Sequence, residues 1–497
     1  MKFLRLYLVI TLFLAGWLSA KQRPNIVLII ADDMAWDDSG PYGNERVRTP
    51  NLDKLAAEGM KFTNAILTAS SCSPSRASII TGRYPHRTGA DELHWPVPAK
   101  QKTFVEKLRA AGYWTAAAGK WHLGTEIRDR FNLIRDVDTS GFQLPGGKAG
   151  QAGVFKETTQ GDAKSGCADW VSLIKERPKD KPFFLWLAAL DPHRPYDEGI
   201  LKQPHLPAAV RVAPYHPDTF GVRREYALYY DEITRLDRFT GLVVSELQKN
   251  SILDETLIIF CSDNGRPFPR DKTSLYDSGI RTPFIIRYPA VVKPGTICKR
   301  LISAVDIAPT LLEIAGVEKS DTFDGVSFKA LLANPDGLPI RSYAFAEKNW
   351  HDYEDHSRAV RNTQFKYIRN YYDDLPPTPP ADAVRGVTYK ALQKKHESAD
   401  LSASEGQLFW FPRPREELYD CRNDPHELKN LAGLPEHSKT LSLMRGALQK
   451  WERETSDYVP KLRTADEFDR KHGKPTPARI RPRWSKEKMV EAGLTAP

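Results

Sequence analysis

Four short apolar runs punctuate the chain: Ile26 to Ile30, Trp114 to Ala118, Phe183 to Leu190 and Leu257 to Phe260. Each is rich in Ile, Val, Leu, Phe or Ala and bounded by polar or turn-forming residues, the pattern of a strand buried on both faces of a parallel sheet. Between them lie helical patterns at Pro50 to Glu58, Thr103 to Ala111 and Arg224 to Lys249, the last with Tyr226, Tyr229, Ile233, Leu236 and Val243 at helical spacing. This alternation predicts an α/β fold with a large, mostly parallel central sheet and helices on both faces. After about residue 335 the texture changes to short alternating segments, Gln364 to Arg369 and Glu417 to Asp420, with a helix near Leu441 to Trp451. These predict a smaller C-terminal α+β domain with an antiparallel sheet, with Pro376, Pro377, Pro379 and Pro380 marking a loop within it. No internal repeat is visible.

The residues just beyond each run matter more than the run itself. The first run ends in Asp32-Asp33, the second in Gly119-Lys120-Trp121-His122, the third in Asp191-Pro192-His193 and the fourth in Asp263-Asn264-Gly265. Ligands of open parallel sheets bind beyond the carboxyl ends of the strands, so four polar clusters are expected to converge on one edge.

At 497 residues the chain can hold one large domain and a smaller one. Its start, with Lys2, Arg5, the apolar stretch Leu6 to Leu18 and Ser19-Ala20, has the layout of a signal peptide over residues 1–20. Leu18 is larger than the residue usual three positions before a cut, which leaves an uncleaved anchor open as the alternative. No second apolar run has membrane length, so the expectation is an exported protein of the periplasm or extracellular space, with no stable membrane insertion after cleavage. Five cysteines, Cys72, Cys167, Cys261, Cys298 and Cys421, are too few and too odd for a disulfide framework. The net charge of +9 is partly carried by a proline-containing tail with Arg479, Arg481, Arg483, Lys486 and Lys488, and no spacing suggests nucleic acid. The expected division is 21–335 as catalytic domain, 336–460 as C-terminal subdomain and 461–497 as basic tail.

The segment Ser71 to Arg83 has its own mechanical logic. Pro74 suits a first helical turn, so Cys72 falls at or just before a helix N-terminus, where free N–H groups favour an anion, and Gly82 supplies the stop. A lone cysteine there would ordinarily be a buried thiol. Asp32, Asp33, Asp263 and Asn264 offer oxygen donors and no thiolate or imidazole, which suits Ca²⁺, with Mg²⁺ as second choice, and argues against zinc.

Cys72-Ser73-Pro74-Ser75-Arg76 followed by Thr81-Gly82-Arg83 resembles the signature of type I sulfatases, in which a maturation enzyme converts the cysteine to formylglycine (3-oxoalanine). The resemblance runs from Arg23-Pro24-Asn25 to Asn430-Leu431-Ala432, and Ser262 to Pro269 with Leu275-Tyr276 looks most like the heparan N-sulfatase branch, which also holds bacterial enzymes acting on algal polysaccharides. It implies an alkaline-phosphatase-like sandwich and Ca²⁺ held by Asp32, Asp33, Asp263, Asn264 and the residue made from Cys72. It further implies charge stabilisation by Arg76 and Lys120, a base in His122, and sulfate and leaving-group contacts from His193 and Lys272. His94, Trp350, His351, His356 and Arg361 are candidate contacts to the sugar. The family more often has Glu-Gly-Gly where this chain has Asp277-Ser278-Gly279, a departure in a supporting loop.

The expected activity is hydrolysis of sulfate esters on an exported sulfated saccharide such as ulvan or carrageenan. The alternatives are an N-sulfoglucosamine sulfohydrolase acting on heparan-type saccharides, a phosphodiester or phosphonate hydrolase of related fold, and a non-catalytic glycan-binding relative.

Overall fold

The computed structural model describes residues 23–137 and 161–476. The expected leader, residues 1–20, and the basic tail residues from Arg479 onward lie outside the described residues. Eight strands form the main sheet: β1 (Asn25–Ala31), β2 (Met60–Ile66), β3 (Trp114–Gly119), β4 (Leu133–Asp136), β5 (Phe183–Ala188), β6 (Thr256–Ser262), β7 (Phe284–Arg287) and β8 (Thr296–Ser303). Their order is β4-β3-β5-β1-β6-β7-β2-β8, parallel throughout except where β7 runs against β6 and β2. The four runs read from the sequence are β1, β3, β5 and β6, four adjacent strands at the heart of this sheet. The other four carry polar residues, as in Met60-Lys-Phe-Thr-Asn for β2, or are short, so no continuous apolar run announces them.

The side chains of β1 alternate strictly between two core layers. Ile26, Leu28 and Ile30 enter one core layer together with Ala77, Ile79 and Ile80 of the helix Cys72–Thr81. Val27, Ile29 and Ala31 enter the other, against Tyr226, Tyr229, Ile233 and Leu236 of the helix Phe220–Lys249. The period-two geometry of a strand thus delivers each neighbour to an opposite helix layer, and each buried Ile or Leu contributes about 1.5–3 kcal/mol. The long helix begins at Phe220, four residues before the expected start at Arg224, where Thr219 Oγ1 accepts from Val222 N and caps it.

The second sheet, antiparallel, is built from β9 (Ala344–Lys348), β10 (Ser357–Arg361), β11 (Phe365–Asn370) and β12 (Glu416–Asp420) in the order β12-β11-β10-β9. The helix Ser438–Thr455 packs Leu441, Met444, Leu448 and Trp451 over it. The result is the expected α/β sandwich with a smaller antiparallel α+β portion.

A buried ionic cluster ties this sheet to the loop after β6. Arg361 grips Asp277 with Nε and Nη2, both at 2.8 Å, while Lys366 Nζ lies 2.6 Å from Asp277 and 2.8 Å from Glu427. Asp277, Cys421 and Glu427 stand close enough to suggest a metal site, but Arg361 and Lys366 already neutralise the two carboxylates. These cations outweigh burial and hold the Asp277 carboxyl well below its ordinary range. Asp277→Asn leaves Arg361 without its charge partner, and its expected cost is about 3–5 kcal/mol in urea unfolding at neutral pH. A depressed carboxylate stabilises fully above its unfolded pKa and loses that contribution as pH falls towards its folded one. The gap between wild type and variant should therefore begin to close below about pH 4. A gap that stays constant down to acid would contradict this account.

Candidate active site

The carboxyl ends of the four central strands converge as expected. Asp32 and Asp33 leave β1, with Asp33 in the left-handed region at φ 69°, and Asp263 and Asn264 leave β6, held in register by Asp263 N donating to Ala31 O at 3.1 Å. Asp32, Asp33, Asp263 and Asn264 are all fully buried. Beside them Cys72 opens the helix Cys72–Thr81, which ends on Gly82 in the left-handed conformation (φ 62°), as the sequence anticipates. Its Sγ lies 3.6 Å from Asp32 Oδ1 and 3.8 Å from Asp33 Oδ1.

Each carboxylate has a cation. Arg76, one turn into the helix, donates from Nε to Asp263 Oδ2 at 2.7 Å and from Nη1 to Lys120 O at 2.9 Å, and its Nη2 stands 3.8 Å from Asp32 Oδ1. Lys120, after β3, reaches Asp32 Oδ2 at 2.5 Å, and Lys272 reaches Asp33 Oδ2 at 2.8 Å. His193 Nε2 lies 3.6 Å from the same Asp33 oxygen. Its Nδ1 faces Arg194 O at 2.5 Å, and a carbonyl only accepts, so Nδ1 carries a proton and the ring aims Nε2 at the cluster. His122, at φ 54°, meets His94 Nδ1 through Nε2 at 2.6 Å, and His94 N donates to Ser73 Oγ at 2.7 Å, which ties this ring pair to the start of the Cys72 helix.

The electrostatics follow from burial. The Cys72 thiol is pushed up by burial and by Asp32 and Asp263, against the pull of Lys120 and Lys272, so the unmodified thiol is protonated at neutral pH and a poor nucleophile. His122 is held far below the usual imidazole range by burial, by His94 and by Lys120, which leaves it uncharged and able to accept a proton. Burial lowers Lys120, but Asp32 beside it more than restores it and keeps it cationic.

The donors fit a hard divalent cation. Three buried carboxylates stand with Asn264, whose Oδ1 is buried and accepts no hydrogen bond, the mark of an acceptor awaiting a positive partner. Among the described residues, no sulfur or imidazole crowds these oxygens apart from Cys72 and His193.

Of the residues expected to touch sugar, the structure brings two to this cluster. His94 stands on His122, and His351 Nδ1 meets Ser71 Oγ at 2.7 Å, immediately before Cys72. Trp350 is buried with Nε1 donating to Ala465 O at 3.3 Å. His356 is buried against the rings of Tyr371 and Tyr372. Arg361 is closed on Asp277, with Nη2 donating to Asp277 Oδ2 at 2.8 Å. Isolated polar residues of the second sheet carried no spacing that could distinguish these placements. Two charged groups that no motif marks also stand here, Arg194 and Asp382. Arg194 directly follows His193, but Asp382 comes from a four-residue helical turn whose position depends entirely on tertiary packing.

Comparison with known proteins agrees with this geometry. The sulfatase family model matches residues 24–317, and a model described as N-sulphoglucosamine sulphohydrolase, C-terminal, matches 268–376. An ulvan-active sulfatase of Formosa agariphila is 31% identical over 87% of this chain and 75% of its own length. The human N-sulphoglucosamine sulphohydrolase is 29% identical over 90% of this chain and 93% of its own. Among solved structures, one in complex with its substrate D-glucosamine-2-N,6-O-disulfate superposes with a TM-score of 0.67 at 22% identity, covering 88% of this chain and 99% of that one. The phosphonate monoester hydrolase of Agrobacterium radiobacter superposes at 0.66 with 19% identity, covering 87% and 96%, a likeness of fold alone.

Proposed function

The chain belongs to the sulfatase family and is a hydrolase of sulfate esters, and on that premise we propose that it desulfates a sulfated polysaccharide or its oligosaccharides, through a formylglycine made from Cys72 beside a bound Ca²⁺. The observation that carries this reading is Cys72 at a helix start, walled by three buried carboxylates and by Arg76, Lys120 and Lys272. The relatives active on ulvan and on N-sulphoglucosamine support a saccharide substrate, and ulvan-type or carrageenan-type esters rank ahead of the N-sulfate alternative. Residues 21–335 would then be the catalytic domain and 336–460 a subdomain supporting it, after export directed by residues 1–20. No helix among the described residues is long and apolar enough to cross a membrane.

Asp32, Asp33, Asp263 and Asn264 would hold the metal, which when bound supplies Lewis-acid neutralisation of sulfate oxygens. The formylglycine, once installed by its maturation enzyme and hydrated by water, would supply a hydroxyl nucleophile where the buried thiol supplies none. The chain's own side chains do the rest. Arg76, Lys120 and Lys272 attract the sulfate group and stabilise the charge that develops on its oxygens. His193, when protonated, gives its Nε2 proton to the departing alcohol oxygen, with Lys272 beside it. The uncharged His122, steadied by His94, takes up the proton that must leave the modified residue for sulfate to be released.

The test is a substrate panel: ulvan, carrageenan and heparan oligosaccharides with an aryl sulfate and an aryl phosphodiester, read by sulfate or phosphate release. Sulfate is expected from the aryl sulfate and from at least one saccharide. A clear preference for the phosphodiester would overturn the reading in favour of the hydrolase whose fold it shares.

A further inference from the structure

Asp382 lies on the short helix Ala381–Val384 of the C-terminal part, within electrostatic reach of Lys272 and His193 at the catalytic edge. Oδ1 accepts from Ala383 N at 2.8 Å, while Oδ2 is buried and accepts nothing. The cations acting on it are Lys272, His193, Arg194 and Arg385, and together they outweigh its burial. Two of these are the groups assigned above to the sulfate and the departing oxygen, so Asp382 stands beside the part of the site that faces the leaving group.

Arg194 is its counterpart. Nε donates to Pro267 O at 2.7 Å, Nη1 to Glu225 Oε1 at 2.5 Å, and the guanidinium lies 5.1 and 4.9 Å from the ring centroids of Tyr196 and Phe268. Only Nη2 is left, buried and donating to nothing. Glu225 also accepts from Val387 N and from Thr388 N and Oγ1, which fastens the Asp382 turn over Arg194. The approach is close: a Cβ on Gly386 would stand 3.1 Å from Glu225 Oε1 and 3.3 Å from Arg194 Nη1.

One acceptor oxygen and one donor nitrogen, both buried and without a hydrogen-bond partner among the described residues, thus stand beside the leaving-group side of the site. A second sulfate would satisfy Arg194 but not Asp382, because sulfate oxygens only accept and carry negative charge. A hydroxyl satisfies either group, and two neighbouring hydroxyls satisfy both. We propose that Asp382 and Arg194 are specificity-determining residues that bind free hydroxyl groups of the sugar carrying the scissile sulfate. This rests on the saccharide reading above and narrows it: sugars with an unmodified hydroxyl beside the sulfate are substrates, and those sulfated at that position are not.

The full-length enzyme with verified formylglycine should be assayed as wild type, Asp382→Ala and Asp382→Asn. The substrates are an aryl sulfate, which has no sugar hydroxyl, a saccharide the wild type desulfates, and that saccharide O-methylated at the hydroxyl beside the sulfate. The ratio of kcat/KM on the saccharide to kcat/KM on the aryl sulfate should fall about 10- to 100-fold in Asp382→Ala, the weight of one hydrogen bond to a charged group, mainly through KM. The methylated saccharide should show a similar deficit with wild type and little further loss with the variant. Equal falls on saccharide and aryl sulfate, in both variants, would reduce Asp382 to a support of the active site and overturn the proposal, as would an unchanged ratio. Wild type that cleaves the aryl sulfate and no saccharide would sink the substrate class and this pair together, whereas a flat ratio sinks the pair alone.

Discussion

Cys72→Ala is expected to lower sulfate release by about 10⁴-fold or more, the scale on which removal of a covalent nucleophile is felt, while the thermal midpoint changes little. The loss is large because nothing else among the described residues of the pocket can replace it. The surrounding side chains are carboxylates paired with cations and an uncharged imidazole, arranged around an attacking atom rather than supplying one. Folding should survive because a small side chain at the first helical position is exchanged for a smaller one, and Arg76, which holds the helix to Asp263, is untouched. Mass spectrometry of the tryptic peptide Phe62 to Arg76 from active wild type should show an aldehyde in place of the thiol. Full activity in protein carrying only the thiol would remove formylglycine from the account, and activity in Cys72→Ala would remove Cys72 altogether.

Stripping the metal is the second large effect. Chelation is expected to reduce sulfate release by about 10³-fold, in keeping with the several kcal/mol a bound cation contributes to a developing anion, and readdition of Ca²⁺ should restore it better than Mg²⁺ or Zn²⁺. The thermal midpoint should fall with it, since a ligand at a hundred times its Kd stabilises the native state by about 2.7 kcal/mol. The physical reason lies in the charge balance. Arg76, Lys120 and Lys272 pair with Asp263, Asp32 and Asp33, and a divalent cation among these carboxylates would share their negative charge and leave the three side chains to sulfate. Full turnover after elemental analysis shows the metal gone would sink the assignment of Asp32, Asp33, Asp263 and Asn264.

Much of this site was legible because its residues sit at the ends of the most hydrophobic strands. A strand buried on both faces must be apolar throughout, so β1, β3, β5 and β6 stand out, and the polar residues that break each run mark the functional edge. The helix Cys72–Thr81 was similarly marked by Pro74 at its start and Gly82 at its end. The remaining strands of the main sheet were not legible: β2 and β8 alternate polar and apolar residues, and β4 and β7 are four residues long.

The supporting residues divide differently. Trp350, His356 and Arg361 are candidate sugar contacts from the sequence, and the structure buries all three, Arg361 because its charge on β10 is absorbed by Asp277. His351 reaches Ser71 only because β9 runs into the edge of the main domain, where Glu347 N donates to Thr68 O. Asp382 carries no motif, and the sulfatase signature lies far from it along the chain.

The sequence by itself determined the α/β class, the four strand ends that carry Asp32, Asp33, Lys120, His193, Asp263 and Asn264, and the helix start at Cys72, since periodicity and turn chemistry are local properties of a few consecutive residues. Only the tertiary structure decided the pairing of Arg76 with Asp263 and of Lys272 with Asp33, the His94 contact to His122, and the placing of Asp382 opposite Arg194. Those are matters of which distant segments are brought within a few ångströms, and that is settled by the packing of two sheets and their helices rather than by any spacing along the chain.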